Sequence, residues 1–434
     1  MGIKFKIRSF FFIGICFLTL AGCKKDAPVD TRTLFQKLND LPGVKAQVID
    51  PPYGHTQAFE LTFTQPLDHD HPEGPVFEQR AYLHHTSETD PMVFGPSGYA
   101  VSDRSSQELA VILQTNMLSV THRFFEGAAP DPYDYQFLTI EQAAADHHRI
   151  VSLLKEIYTG LWISSGASKS GQAVLFHRRF YPEDTDATIA YVAPIVFGTR
   201  DQRFISFMNQ VGTESCRTQM ESFERRLLVA RDSMLPRFTG WFPDHGYTLS
   251  TDPNEAFEYA ILEYHFAFWQ FHNHDCSTIP DESASYDEMF HHLENVLWMA
   301  YFSDYYMGYF TPYYYQAMTQ TGYPSYITDH LSDLLEYAPD PGGDFFIMDP
   351  VTTTYDPEPI EDIYQWLRSE GDHIIYIYGE IDPWSAAMIE LTGATNAIRI
   401  IQAEADHSVR IADLDEKDLV ITTLENWLGI NIDF

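Results

Sequence analysis

The sequence predicts an α/β fold, with a mostly parallel sheet, helices on both of its faces and an inserted helical domain. Three observations indicate this. Short apolar runs alternate with amphipathic segments over residues 41–199, a helical stretch rich in aromatic residues occupies 200–367, and strand patterns resume in 368–434. Because strands that alternate with helices form parallel sheets, we expect the first and last segments to form one core and the middle segment a cap.

The composition is that of a globular protein. The chain has 434 residues, of which 44% are hydrophobic and 15% aromatic, enough for a large core. Its net charge of −35 argues against nucleic acid or an anionic membrane surface as a partner, because both are bound through clustered Lys and Arg.

The first residues read as an export signal. Lys4, Lys6 and Arg8 precede an apolar run that is too short to remain as a membrane span and that ends in small residues. The four residues 20–23, Leu-Ala-Gly-Cys, resemble a bacterial lipobox. We therefore expect residues 1–22 to be a lipoprotein signal peptide, Cys23 to be acylated and 23–40 to form a tether, so that a lipid anchor is the protein's contact with the membrane of the cell envelope.

The chain has four cysteines. Cys16 lies in the expected signal peptide and Cys23 is the expected site of acylation, so Cys216 and Cys276 remain for the folded part. Two cysteines in an exported chain suggest one disulfide bond. Closing a loop of about 60 residues would stabilise the fold by roughly 4 kcal/mol in the chain-entropy model.

The first core segment opens with a pair of strands joined by a turn. Phe59, Leu61 and Phe63 alternate with polar residues, residues 72–75 form a Pro/Gly turn, and 77–85 return as a second strand. The elements expected next are strands at 91–94 and 118–125, a helix over 139–155, a strand at 161–163, a helix from 172 and a strand over 187–197.

The turn between the strand at 161–163 and the helix from 172 resembles a nucleophile elbow. Small residues at Gly166, Ala167 and Ser170 allow strand and helix to approach closely and hold Ser168 in strained exposure above the sheet. The motif departs from G-x-S-x-G in having Ser170 at the second glycine position, although Gly171 follows it.

The last core segment supplies two further candidate catalytic residues. Asp382 follows the strand at 374–378, and His407 follows the strand at 396–402, before a C-terminal helix over 416–428. The order Ser, Asp, His at successive strand ends is that of α/β-hydrolases. His407 would take the proton of Ser168, and Asp382 would orient and stabilise the imidazole. Competing acids nearby in sequence are Glu380, Asp372 and Asp406.

A tetrahedral intermediate also requires donors for its oxyanion. The backbone N–H of Lys169, next to the nucleophile, is one candidate. Gly98 or Tyr99, in the loop after the strand at 91–94, is the expected source of the second.

Six motifs are spread over most of the chain: FTQPLDH at 63–69, QR at 79–80, THRFFEG at 121–127, LTIEQAAAD at 138–146, GASKS at 166–170 and GEIDPW at 379–384. Together they resemble the clan of prolyl carboxypeptidase and dipeptidyl peptidase II. The Ser168–Lys169 pair and the strand residues 192–195 are more similar to the secreted bacterial tripeptidyl aminopeptidases. This resemblance implies a serine exopeptidase without a cofactor, with an α/β-hydrolase core and a helical cap, which removes short peptides, tripeptides above all, from free N-termini. It carries Ser168, Asp382 and His407 as the triad.

An aminopeptidase needs a carboxylate that binds the substrate's free ammonium group. Glu126, after a core strand, is the candidate, with Asp201 and Glu263 as alternatives. A structural salt bridge from Glu126 to Arg123 or another basic residue is the competing interpretation.

Two other functions are compatible with the motifs: a lipase or esterase, and a non-catalytic peptide-binding lipoprotein with a degenerate site. We expect no metal site, because the histidine pairs at 84–85, 147–148 and 291–292 are adjacent and cannot share a face, and H-E-x-x-H is absent. The sequence has no glycine-rich phosphate-binding loop in a suitable setting, so no nucleotide cofactor is implied.

Overall fold

The computed structural model describes residues 1–2, 30–271 and 275–433. In these residues nine strands form one sheet and thirteen α-helices surround it. The strands are β1 (Val44–Ile49), β2 (Gln57–Pro66), β3 (Val76–His85), β4 (Met92–Pro96), β5 (Asn116–Val120), β6 (Trp162–Ala167), β7 (Ala187–Tyr191), β8 (Ile374–Gly379) and β9 (Ile398–Gln402). The helices are α1 (Leu34–Asp40), α2 (Glu108–Leu113), α3 (Ile140–Leu154), α4 (Lys169–Phe180), α5 (Arg203–Met208), α6 (Glu214–Val229), α7 (Arg231–Asp244), α8 (Pro253–Leu262), α9 (Tyr264–Gln270), α10 (Tyr286–Val296), α11 (Asp304–Gln316), α12 (Glu358–Ser369) and α13 (Lys417–Leu428).

The sheet is antiparallel at one edge and parallel elsewhere. Its order is β1-β2-β3-β5-β4-β6-β7-β8-β9, with antiparallel pairing from β1 through β3 to β5 and parallel pairing from β5 to β9. This arrangement confirms the predicted mostly parallel sheet with helices. It places the carboxyl ends of β6 and β8, which carry Ser168 and Asp382, at the same edge of the sheet.

Both faces of the sheet are covered. The six residues of β8 are all buried, and alternate residues along it face opposite layers. Ile375 and Ile377 pack in a cluster with residues of α2 and α13, whereas Ile374 and Tyr376 pack in a cluster with residues of α4 and α12. A strand buried on both faces reads as a continuous apolar run, and this is why β8 could be recognised in the sequence.

Two predicted domain boundaries are corrected by the packing. The tether was expected to extend to residue 40, but Leu34 and Leu38 of α1 are buried in the core cluster beneath β2 and β3. The cap was expected to extend to residue 367, but Ile360 and Leu367 of α12 pack with β8 and α4. Both helices therefore belong to the core.

Helices α5 to α11 form the cap, which has a hydrophobic cluster of its own. Within it Cys216, at the start of α6, is bonded to Cys276, with Cα atoms 5.4 Å apart. The predicted disulfide bond is confirmed.

The predicted signal peptide and Cys23 lie outside the described residues. Among the helices that are described, none has the length and apolar character needed to cross a membrane.

Candidate active site

Ser168 occupies a strained turn between β6 and α4. Its backbone angles are φ 57° and ψ −125°, a combination that non-glycine residues rarely adopt and that costs on the order of 1–3 kcal/mol. The two glycines that flank the turn make it possible. A Cβ at Gly166 would lie less than 3.0 Å from the backbone of Ser170, and one at Gly171 would lie 2.7 Å from the Cβ of Ala193.

The unusual residue of the motif, Ser170, is accommodated and has a partner. Its hydroxyl accepts a hydrogen bond from the N–H of Gly98 at 3.0 Å. Since Gly171 provides the close approach to the next strand, a side chain at position 170 does not disturb the turn. Ser170 instead ties the loop after β4 to the first turn of α4.

Asp382 and His407 are brought together as predicted. The Nδ1 of His407 lies 2.7 Å from Oδ2 of Asp382, and both residues are buried. The other carboxylate oxygen of Asp382 accepts the N–H of Trp384 at 3.0 Å. A hydrogen bond from Nδ1–H to the carboxylate leaves Nε2 as the basic nitrogen of the ring.

The competing acids have other partners. Asp372, Glu380 and Asp406 accept backbone N–H groups of Asn396, Glu404 and Ser408, respectively. None of the three carboxylates bonds His407 in the described part of the chain, so Asp382 is the acid that geometry selects.

Ser168 and His407 line one cavity between the core and the cap. In the described part of the chain no hydrogen bond joins the Ser168 hydroxyl to the imidazole, a contact that is often long before substrate binds. The cap reaches this point as well, because the N–H of His407 bonds the carbonyl of Gln270 at the end of α9.

The cavity has a volume of about 900 Å³ and a largely aromatic wall, within the range of ligand sites in proteins. Aromatic side chains of the cap pack against one another, as Tyr301 does against Phe310 and Tyr314 against Phe346. Many in and around α11 also face the cavity: Tyr301, Phe302, Tyr309, Phe310, Tyr313 and Tyr314.

The three candidate oxyanion donors are backbone N–H groups that differ in their hydrogen-bond partners and in whether their residue lines the cavity. The N–H of Lys169 is at the first position of α4, where backbone donors have no acceptor within the helix. The N–H of Gly98 is engaged by Ser170, and Gly98 is not part of the cavity wall. Tyr99 lines the cavity, and its N–H donates to the hydroxyl of Ser97. Both predicted second donors thus have a hydroxyl acceptor within the loop region, and of the two only Tyr99 lines the cavity.

The side chain of Lys169 is a feature that the sequence did not indicate. It is buried, donates from Nζ to Oε1 of Gln316 at the end of α11, and has Nζ 5.4 Å from the centroid of the Tyr313 ring. A Cβ at Gly98 would lie 2.6 Å from the Cβ of Lys169, so Gly98 leaves the space through which this side chain passes. Burial lowers the pKa of Lys169 to about 7.

The structure does not bring Glu126 to the cavity. Its side chain is exposed and contributes nothing to the wall. The competing interpretation, a salt bridge, does not hold either, because Arg123 pairs with Asp146 and Glu126 forms no ion pair with any residue that the structure describes. Of the two alternative acids, Asp201 is paired with Arg203, whereas Glu263 lines the cavity.

A cluster of potential metal ligands in the cap was also missed, because its members are far apart in sequence. Glu224, His265 and His330 place one ligand atom each within 4.8 Å of one another. The carboxylate lies 2.8 Å from Nδ1 of His265 and 2.6 Å from Nε2 of His330. These are hydrogen-bond distances, so the two imidazoles satisfy Glu224 directly.

Comparison with known proteins identifies the family. The family model described as PS-10 peptidase S37 matches residues 28–432. The chain belongs to the S37 peptidase family. It is 34% identical over 400 residues, 90% of this chain and 84% of the relative, to the prolyl tri/tetrapeptidyl aminopeptidase of Streptomyces mobaraensis. This S37 peptidase is a serine peptidase, as the resemblance of its motifs implied.

Solved structures with similar folds are much more distant in sequence. Proline iminopeptidase of Mycobacterium smegmatis is 10% identical with a TM-score of 0.41, over 84% of this chain and 98% of that one. Acetyl xylan esterase 1 of a Thermoanaerobacterium species is also 10% identical with a TM-score of 0.39, over 90% of this chain and 91% of that one.

Proposed function

We propose that this S37 peptidase is an exported exopeptidase that removes short peptides, chiefly tripeptides, from free N-termini. The observation that carries the proposal is the position of Ser168, which lines a cavity of about 900 Å³ between the core and the cap. A cavity between the core and the cap admits the end of a peptide chain more readily than a segment in the middle of a folded protein. The name of the Streptomyces relative supports release of three or four residues.

In the proposed mechanism, Oγ of Ser168 attacks the scissile carbonyl carbon while Nε2 of His407 takes the hydroxyl proton. Asp382 holds the imidazole through Nδ1 and stabilises its charged form. The N–H of Lys169 would donate to the negative oxygen of the tetrahedral intermediate, and the loop after β4, with Gly98 and Tyr99, would supply the second donor. His407 then protonates the leaving amine, and the acyl-enzyme is hydrolysed by water through the same steps in reverse order.

Product analysis tests the proposal directly. Purified protein is incubated with a mixture of free and N-acetylated peptides, and products are identified by mass spectrometry. We expect N-terminal tripeptides from the free peptides and little cleavage of the acetylated ones. Cleavage from the C-terminus would contradict an aminopeptidase, and turnover of acyl esters without peptide release would favour the esterase alternative.

Labelling with a fluorophosphonate separates the enzymes from the non-catalytic alternative. Reaction at Ser168, lost in Ser168→Ala, is expected of a serine peptidase. A folded protein whose Ser168 does not react would exclude both the peptidase and the esterase mechanisms.

The proposed location rests on the leader sequence. The basic start, short apolar run and lipobox-like residues 20–23 support export and acylation of Cys23. Metabolic labelling with a radioactive fatty acid should mark the wild type in the membrane fraction, and Cys23→Ser should abolish the label. Equal labelling of both proteins would refute the anchor.

A further inference from the structure

Glu263 lies between α8 and α9, in the cap, and its carboxylate faces the cavity. The hydroxyl of Tyr326 donates to Oε1 at 2.5 Å, and that of Tyr323 donates to the same oxygen at 3.4 Å. Oε2 receives no hydrogen bond from any residue that the structure describes. The carboxylate is thus fixed by one oxygen, and the other is left open to the cavity.

This carboxylate also has no counter-charge. No Lys, Arg or His within the described ranges forms an ion pair with Glu263, although other buried acids are paired, as Asp146 is with Arg123 and Glu258 with Arg231. Burial raises the pKa of Glu263 to about 7. An unpaired carboxylate in such surroundings is costly, and charges of this kind are concentrated at functional sites.

Glu263 is also the single acidic side chain among the described residues of the cavity wall. At the elbow, the buried Nζ of Lys169 bonds an amide and forms no ion pair in the same described set. The aromatic rings around Glu263 are themselves attractive to a cation. Two ionisable side chains without an ion pair in the described part of the chain therefore line the cavity, Lys169 next to Ser168 and Glu263 on the cap.

We propose that Oε2 of Glu263 binds the α-ammonium group of the substrate and that Tyr323 and Tyr326 hold the carboxylate in place for it. This inference rests on the proposed aminopeptidase function and names its specificity-determining residue. The N-terminus would bind at the cap side of the cavity, while the scissile carbonyl would lie at Ser168. The fixed separation between Glu263 and Ser168 would then limit how many residues are released.

The test compares three substrates: a tripeptidyl p-nitroanilide with a free amine, its N-acetylated counterpart and p-nitrophenyl acetate. Wild-type protein should prefer the free amine by on the order of 100-fold in kcat/KM, the size expected for a desolvated charge pair. Glu263→Gln should lose this preference through a higher KM for the free amine, with turnover of the acetate ester retained. Glu126→Gln, which alters an exposed acid outside the cavity, is the matched control and should behave as wild type.

The outcomes separate this inference from the proposed function. A wild-type protein that shows no preference for the free amine refutes the aminopeptidase itself. A wild-type preference that persists in Glu263→Gln overturns the role of Glu263 alone, and its loss in Glu126→Gln would assign that role to Glu126. If Glu263→Gln fails to fold, as shown by loss of ester turnover, Glu263→Asp is the second variant to test. Its carboxylate recedes by one methylene group, so KM for the free amine should rise about tenfold. An unchanged KM in Glu263→Asp would overturn the inference.

Discussion

Gly379 controls how the loops that carry Asp382 and His407 meet. It is the last residue of β8, three residues before the acid, and a Cβ at this position would lie less than 3.0 Å from the carbonyl oxygens of Ala405 and Asp406 and 2.8 Å from the Ala405 carbonyl carbon. All of these atoms belong to the backbone that leads to the base, so a change of side-chain rotamer cannot relieve the clash. Gly379→Ala must therefore separate the two loops.

The size of the effect follows from these distances. Moving the carbonyl carbon from 2.8 Å to the 3.4 Å of ordinary contact requires a shift of about 0.6 Å, and this is a lower bound because the two carbonyl oxygens would lie closer still. A shift of this size is enough to lengthen the 2.7 Å hydrogen bond between His407 and Asp382 until it is only a weak contact. Since a misplacement of about 1 Å can reduce catalysis by about 100-fold, we expect kcat/KM to fall by roughly 10- to 100-fold, and overpacking to cost about 1–3 kcal/mol of stability.

Ester turnover and thermal unfolding measure the two effects. Gly240→Ala is the control, because this glycine lies within α7 and a Cβ there would meet no atom within 4 Å. It should keep full activity and gain about 0.5–1 kcal/mol from the higher helix propensity of alanine. Wild-type turnover and unfolding temperature in Gly379→Ala would refute the claim that this contact sets the distance between acid and base.

Four further results are expected. Asp382→Asn should lower kcat by roughly 10³- to 10⁴-fold with little change in KM, as steady-state kinetics would show, because the imidazole loses the anion that orients it; a loss under tenfold would contradict its role. Replacing Cys216 and Cys276 together by serine should lower the free energy of unfolding by about 4 kcal/mol in urea titrations, and titration of the denatured, unreduced protein should find no thiol from this pair. Ser170→Ala should cost about 1 kcal/mol in the same titrations yet leave ester turnover near wild type, whereas a large loss of turnover would give this hydroxyl a catalytic role. Because the folded state raises the pKa of Glu263 from 4.5 to about 7, the folded protein binds this proton more tightly than the unfolded chain does, so stability without substrate should decline as pH rises from about 4.5 to about 7; Glu263→Gln should flatten that part of the thermal-unfolding profile, and an unchanged slope would contradict the assignment.

The core and the positions of Ser168, Asp382 and His407 after its strands could be predicted because their signals are local. β6 and β8 are buried strands that appear as apolar runs, and each is followed by its candidate catalytic residue within a few positions. β1 was missed because it is an edge strand in which only Val44 is buried, so its sequence lacks the regular alternation of a half-buried strand. Edge strands with exposed polar residues carry little periodic signal.

The cap could not be predicted in comparable detail, because its functional groups meet only in three dimensions. Glu126 looked favourable because it follows a core strand closely, but the backbone turns at Phe124, which has φ 72°, and the acid lies exposed. Glu263 is separated from the elbow by almost a hundred residues and reaches the cavity through the packing of α8 and α9. The path of the Lys169 side chain depends in the same way on a glycine in another loop, Gly98.

The division between core and cap has a chemical consequence. The core places the proposed nucleophile, base and acid after the ends of parallel strands, where backbone pairing fixes them, and such a triad could serve any acyl transfer. The cap supplies Glu263 and the aromatic wall of the cavity, the groups proposed to determine which end of a substrate binds. Lys169 joins the two parts, because its backbone follows the nucleophile while its Nζ bonds Gln316 of α11. A change in α11 can therefore shift the backbone of Lys169, a candidate oxyanion donor, through a single side chain. Substrate choice and catalytic rate should then not vary independently in variants of α11.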